Sequence, residues 1–326
     1  MNNKIGFTTS VPVEVIYAAE KIPVDLNNIF INNIDEARKY VNQAEEIGFP
    51  RSSCGWIKGM YSIAKSTEYE ALIAVIEGDC SQSHALFELW QEENINVIPF
   101  SYPHNRNEGR LEQEIDNLIK RLGTTWEKSE NWKKKLDRIR SKIYHFDQLS
   151  YKKGNISGFK NHLYQVCSSD FNSDPVTFEE ELDEEIYKSE INKENYDFIR
   201  LGYIGVPPII TDIYDVLEIF GGKIVYNEVQ RQFSMPYKTN NLVEQYLKFT
   251  YPYDVFLRIK DINMEVKKRD LKGIIHYTQS FCYRQIQDIL FNKYINVPIL
   301  TIEGDSPQFS DERTKIRLES FIEMLS

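Results

Sequence analysis

Short apolar runs alternate with longer stretches whose apolar residues recur at helical spacing. Lys4-Ile5-Gly6-Phe7-Thr8-Thr9-Ser10 predicts a short strand running into a loop. Pro12 then leads a helix from Val13 to Lys21, in whose first turn a missing N–H costs little. Ile22 to Leu26 predicts a second strand, and Asp35 is placed to cap a helix that runs to about Glu46 and stops at Ile47-Gly48-Phe49-Pro50. A helical segment Ile57–Lys65, the apolar strand Ala71–Ile76, a helix Ser83–Glu93 and the strand Asn96–Phe100 follow. Such alternation of strand and helix predicts a mainly parallel, doubly wound sheet.

From Glu108 to about His145 the pattern is helical and highly charged, with Trp126 and Trp132 as expected packing anchors. A helix over Gly158–Cys167 and a polar turn lead to an acidic helix, Phe178–Glu190. Its run of Glu179, Glu180, Glu181, Asp183, Glu184 and Glu185 reads as a solvated face. The α/β rhythm then restarts with the strand Tyr196–Tyr203, the loop Gly205-Val206-Pro207-Pro208 and a helix Ile210–Phe220 closed by Gly221-Gly222. Next come the strand Lys223–Glu228, helices Leu242–Phe249 and Tyr253 to about Arg269, and the strand Gly273–Tyr277. Cys282 opens a helix Tyr283–Asn292, and the strand Val297–Glu303 and a final helix Ser310–Leu325 end the chain. The expected fold is α/β, with two doubly wound, mainly parallel-sheet domains joined by a helical middle. Residues 1–150 form an N-terminal α/β domain with a helical extension, and residues 151–326 a C-terminal α/β domain. Neither a close internal repeat nor a low-complexity tract is present.

Composition narrows the class. Charged residues make up 27% and hydrophobic residues 41% of the 326, an ordinary globular balance. A net charge of −10 argues against nucleic acid as a partner, because phosphates need basic surface. The 20 Tyr and 18 Phe predict well-filled cores or a large partner interface. Met1-Asn2-Asn3-Lys4 leads into a strand without an apolar leader, and no stretch approaches the ~18 apolar residues of a membrane span. The expectation is a cytoplasmic protein with no membrane partner.

The four cysteines, Cys54, Cys80, Cys167 and Cys282, contain no CxxC pair and do not read as a disulfide framework. Three share one local plan: Cys54, Cys80 and Cys282 each open a predicted helix. Helix N-termini present free N–H groups and partial positive charge, which favour the thiolate that ligates metals. If the two halves pack face to face, the three thiolates can meet in the interdomain cleft and suit an iron–sulfur cluster with one iron left open. Three unrelated buried thiols are the plain alternative. A zinc site is another, since Cys80 and His84 stand four apart on one helix face. Cys167, inside an amphipathic helix, reads as a packed core thiol. Ser53 and Ser81 flank two of the cysteines and can either hydrogen-bond cluster sulfurs or cap the helices that follow. Glu228, at the end of a strand, is a catalytic candidate, with a hydrogen bond to a loop as its structural alternative. Arg231 reads as a surface ion-pair partner, His276 as a core residue with one satisfied nitrogen, and Lys133-Lys134-Lys135 as a solvated helix face.

Several blocks in order carry a family resemblance. They are Pro12-Val13-Glu14-Val15-Ile16-Tyr17-Ala18-Ala19 with Ile22-Pro23-Val24, then Arg51-Ser52-Ser53-Cys54, Glu77-Gly78-Asp79-Cys80-Ser81, Gly221 to Glu228, Ser280-Phe281-Cys282, Val297 to Asp305, and Thr314 to Leu325. Together they resemble the D-component family of 2-hydroxyacyl-CoA dehydratases, which also includes benzoyl-CoA reductase subunits. Glu20-Lys21 stands where the family has a glycine region, and Asp79 precedes its cysteine where many dehydratase subunits have the cysteine first. The resemblance implies a cluster between two α/β domains, held by three cysteines that map to Cys54, Cys80 and Cys282. It implies a second cluster subunit, in a homo- or heterodimer, an ATP-hydrolysing iron–sulfur activator that delivers a low-potential electron, and an acyl-CoA substrate dehydrated through a ketyl radical. Lys133-Lys134-Lys135 is then a candidate contact for a CoA phosphate. The cofactor is a [4Fe–4S] cluster or, as in the homodimeric double-cubane relatives that reduce small molecules, a shared [8Fe–9S] cluster. The implied enzyme is a lyase or an ATP-dependent reductase component. A non-catalytic iron–sulfur subunit that relays electrons or supplies structure is the alternative.

Overall fold

Among the described residues, eight short strands form two separate four-stranded sheets, and every pairing in them is parallel. The computed structural model describes residues 3–192, 197–279 and 282–326. Tyr196, the predicted start of one strand, and Ser280-Phe281, in the block before Cys282, lie outside the described residues. The chain divides into two units. One comprises Met1–Ser141, Cys167–Phe178 and Met235–Asp254, the other Lys142–Val166, Glu179–Ser234 and Val255–Ser326.

The first unit holds β1 (Lys4–Phe7), β2 (Ile22–Asp25), β3 (Ala71–Glu77) and β4 (Val97–Ser101), in the order β2-β1-β3-β4. Ile5 and Phe7 of β1, Ile73 and Val75 of β3, and Ile98 and Phe100 of β4 are buried. Pro23 and Pro99 fall on the two edge strands, where a missing N–H breaks no ladder on the outer side. The first helix is shorter than its sequence pattern, Val13–Ala18. An unforeseen helix, Leu26–Asn32, follows β2 because the Asp25 side chain accepts the Asn27 N–H and caps it. The next helix, Ile34–Glu46, is capped by Asn33 and not by Asp35, since the Asn33 side chain accepts from both Asp35 N and Glu36 N. Helices Glu108–Leu122 and Trp126–Lys153 make up the charged middle. Trp132 stacks on Tyr17 at 4.9 Å between ring centroids, and Trp126 donates its indole N–H to Asp116 at 3.0 Å. Lys133 is not solvated: it is buried and bonds Asp137 and the Thr239 carbonyl.

The second unit holds β5 (Ile199–Gly205), β6 (Gly222–Asn227), β7 (Gly273–Thr278) and β8 (Ile299–Glu303), in the order β6-β5-β7-β8. Ile204, Val225 and Ile274 from the strands pack with Ile259, Ile262 and Phe291 from helices into one apolar cluster. Helices include Gly158–Cys167, Ile213–Ile219, Val255–Arg269 and Glu312–Leu325. Glu228 does not end a strand but begins a short helix, Glu228–Phe233. Within the acidic helix Pro175–Ile191, Glu179 departs from the solvated face: it is buried and pairs with Lys142 at 2.7 Å. Among the described residues no helix is long and apolar enough to cross a membrane.

In both sheets the order reverses between the first and third strands, so the first crossover lies on the face opposite the two that follow, and this switch point is where an open parallel sheet takes ligands beyond its strand C-termini.

Candidate functional site

In the first unit that edge is built by the ends of β1 and β3. Thr8, Thr9 and Ser10 after β1 are buried, and Tyr102 donates its hydroxyl to the Ser10 carbonyl at 2.7 Å. β3 ends at Glu77, and Gly78 turns the chain at φ +97°. A Cβ there would stand 2.7 Å from that of Tyr102, so only glycine fits this turn. The turn delivers Cys80 to the N-cap of the helix Ser81–Glu92. Cys54 holds the equivalent place on the helix Gly55–Ser66. Neither cysteine is in a disulfide. The two caps are neighbours, because Gln82, in the first turn after Cys80, accepts the Cys54 main-chain N–H at 3.2 Å.

A small polar frame surrounds Cys80. Asp79 accepts the Cys80 N–H at 2.8 Å through Oδ1 and the Ser83 hydroxyl at 3.1 Å through Oδ2. Ser83 Oγ lies 3.6 Å from Cys80 Sγ. Burial pushes the Cys80 thiol up, and the Asp79 charge adds to this. Hydrogen bonds from Ser83 and from the Ser83 and Gln82 main chain act the other way and are outweighed. The helix N-terminus therefore does not leave this thiol acidified, contrary to the expectation from the sequence. Ser53 gives its hydroxyl proton to the Pro50 carbonyl at 2.5 Å, and Ser81 is exposed. The hydroxyl beside the sulfur belongs to Ser83. Its spacing, three after Cys80 and four after Asp79, was the signal available in the sequence.

In the second unit, Cys282 caps a 3-10 turn, Tyr283–Gln287, which passes into the helix Asp288–Tyr294. The Cys282 N–H bonds the Gln279 carbonyl at 3.0 Å, and its side chain makes no cap bond. It follows β7, the third strand of its sheet, as Cys80 follows β3. Glu228 is buried and gripped at both oxygens by Arg258, Nε to Oε1 at 2.6 Å and Nη2 to Oε2 at 2.9 Å. Its Oε2 also accepts the Gly205 N–H at the end of β5, 3.2 Å away. Arg258 Nη1 reaches Gln287 Oε1 at 2.5 Å, at the far end of the turn that Cys282 opens. Burial pushes the Glu228 carboxyl up, but the Arg258 charge and hydrogen bonds, with the Gly205 N–H, hold it below the ordinary range.

Among the described residues no three His, Cys, Asp or Glu side chains gather around a metal-sized site. His84 is exposed on its helix. The donor chemistry of the first unit still fits a thiophilic centre: two thiols stand on adjacent helix ends, and neither is in a disulfide. Over residues 8–325 the sequence matches the family described as 2-hydroxyglutaryl-CoA dehydratase, D-component. The chain belongs to this family. The match begins just after β1 and runs to the end of the last helix, so it takes in β2 to β8 and all four cysteines. Comparison with curated proteins finds no match. As a D-component family member, the chain is a 2-hydroxyacyl-CoA dehydratase-like enzyme component.

The other candidates in this dehydratase-family chain have packing roles. Cys167 is half-buried, and its thiol is pushed up to about 12 by burial and by the charges of Asp170 and Asp25. Arg231 is not at the surface: it is buried and pairs with Asp261 at 2.9 Å and Glu265 at 3.4 Å. Buried His276 bonds Asp288 through Nδ1 at 2.8 Å.

Proposed function

We propose that this chain is the cluster-bearing subunit of a dehydratase acting on a 2-hydroxyacyl-CoA. In this reading Cys54, Cys80 and Cys282 hold an iron–sulfur cluster of the [4Fe–4S] type. The observation that carries it is the pair of adjacent cysteine-capped helix ends, in a chain that matches the D-component family over residues 8–325. When bound, the cluster supplies low-potential electron transfer to the substrate thioester.

The chain's own residues supply the scaffold. Asp79 and Gln82 take up the main-chain N–H groups of Cys80 and Cys54, which fixes where both side chains start. Glu228 braces the Gly205 backbone through its bond to that N–H, with Arg258 as its counterion. Both carboxylate oxygens are engaged there, which favours a structural role for Glu228 over proton transfer. The partners in this reading are a second cluster-bearing subunit and an ATP-hydrolysing iron–sulfur activator.

The test is iron and sulfide content after anaerobic purification. The parent is expected to be brown with about four irons per chain. Cys54→Ala, Cys80→Ala and Cys282→Ala should each lose iron, while Cys167→Ala should keep it. A colourless, iron-free parent, or iron lost only in Cys167→Ala, overturns the reading.

A further inference from the structure

We infer that Ser83 is a positioning residue for the Cys80 sulfur and tunes the potential of the centre that sulfur joins, with Asp79 orienting its hydroxyl. This rests on the iron–sulfur reading above. Ser83 sits in the first turn of the helix Ser81–Glu92 and is 1% exposed. Its Oγ lies 3.6 Å from Cys80 Sγ and donates to Asp79 Oδ2 at 3.1 Å. The other Asp79 oxygen accepts the Cys80 N–H at 2.8 Å. One carboxylate therefore fixes both the backbone that carries the sulfur and the hydroxyl beside it.

The hydroxyl has a single proton to give. A Cys80 thiol can donate its own proton to Ser83 Oγ, leaving the hydroxyl proton on Asp79. A metal-bound sulfur has no proton and only accepts, so Ser83 becomes its side-chain donor when the hydroxyl turns its one proton from Asp79 Oδ2 to the sulfur. A hydrogen bond to a ligating sulfur stabilises the more negative, reduced form of a cluster and raises its potential. A hydrogen bond to a charged partner corresponds to roughly a tenfold change in the reduction equilibrium.

The experiment uses the anaerobically purified full chain as parent, Ser83→Ala and Ser83→Thr. Iron content is measured, and reductive titration is followed by electron paramagnetic resonance. Ser83→Ala should retain iron with its midpoint about 59 mV more negative, the equivalent of tenfold for one electron. Ser83→Thr, which keeps the hydroxyl, should return the parental value. Ser83→Ala at the parental potential overturns the inference. If Ser83→Ala carries no iron, parental iron in Ser83→Thr supports the hydroxyl's role, and loss of iron in both overturns it. An iron-free parent refutes the cluster reading itself and this inference with it.

Discussion

Replacing Arg258 with Leu removes the counterion of Glu228 while leaving the carboxylate inside the second unit. Both side chains of the pair are 1% exposed, and the two are joined at 2.6 and 2.9 Å. Glu228 would keep the Gly205 N–H at 3.2 Å and the more distant charge of Arg284. Stripping one partner from a buried ion pair costs about 3–5 kcal/mol, because the other charge is left without compensation. At roughly 2 °C per kcal/mol for a chain of this size, the melting temperature should fall by about 6–10 °C.

The pH dependence makes the attribution specific. In the parent, the Glu228 pKa is held below its ordinary value. Its contribution is therefore present above the unfolded carboxylate pKa of about 4.3 and is lost as pH falls through the lower folded value. Without Arg258, burial dominates and the folded pKa rises above the unfolded one. The folded state then retains a proton that the unfolded chain releases, so stability falls as pH rises from about 4. The gap between Arg258→Leu and parent should be small near pH ~4 and widest near pH ~7. Adding Glu228→Gln should recover part of the loss, with a coupling above about 1 kcal/mol. Melting curves of the four proteins across that range are the assay. A loss below about 1 kcal/mol, or one independent of pH, refutes the reasoning.

Two further outcomes follow from the first unit. Asp170 is pushed up to about 7 by burial and the neighbouring charge of Asp25, so the folded state keeps its proton and stability should decline from about pH 4 toward about 7. Asp170→Asn should flatten that decline in a melting-temperature series, and an unchanged slope would count against the pairing. Gly78→Ala should cost about 1–3 kcal/mol in denaturant unfolding, since it puts a side chain at φ +97° against Tyr102. A variant as stable as the parent would show that the turn relaxes freely.

All eight strands were legible, because a short apolar run between turn residues is a local signal that burial in a parallel sheet preserves. What escaped depends on partners distant in sequence. One local feature escaped as well: of the helix Leu26–Asn32 only Leu26 fell in a predicted element, the end of a strand, and the Asp25 cap that starts the helix was not foreseen. The helix Glu228–Phe233 is polar by sequence, yet Glu228, Gln230, Arg231 and Gln232 are all buried. Charged residues are expected outside, and nothing near Glu14 in the sequence announces that Arg140 will meet it at 2.7 Å in a buried pair. The same holds for Arg269 and Asp147, 2.6 Å apart and 122 positions separated. At the site, the cysteines were found through their common local plan. Gln82 and Ser83 were passed over because a first-turn side chain aimed back at a cap looks like any polar helix surface.

Sheet order adds what the local plan lacked. A cysteine after a strand can lie anywhere along the edge of a sheet, and the sequence does not say which strands are central. With the orders β2-β1-β3-β4 and β6-β5-β7-β8, the third strand of each sheet lies next to the first, at the reversal point. Cys80 follows β3 and Cys282 follows the corresponding strand β7, so each stands where an open parallel sheet has its crevice. Cys54 arrives differently. It caps the helix Gly55–Ser66 that leads into β3, and the Gln82 bond ties that cap to the one after β3. Two routes in the chain thus bring a thiol to one edge of the first sheet. A cysteine moved one turn along either helix would keep its spacing pattern and lose that position.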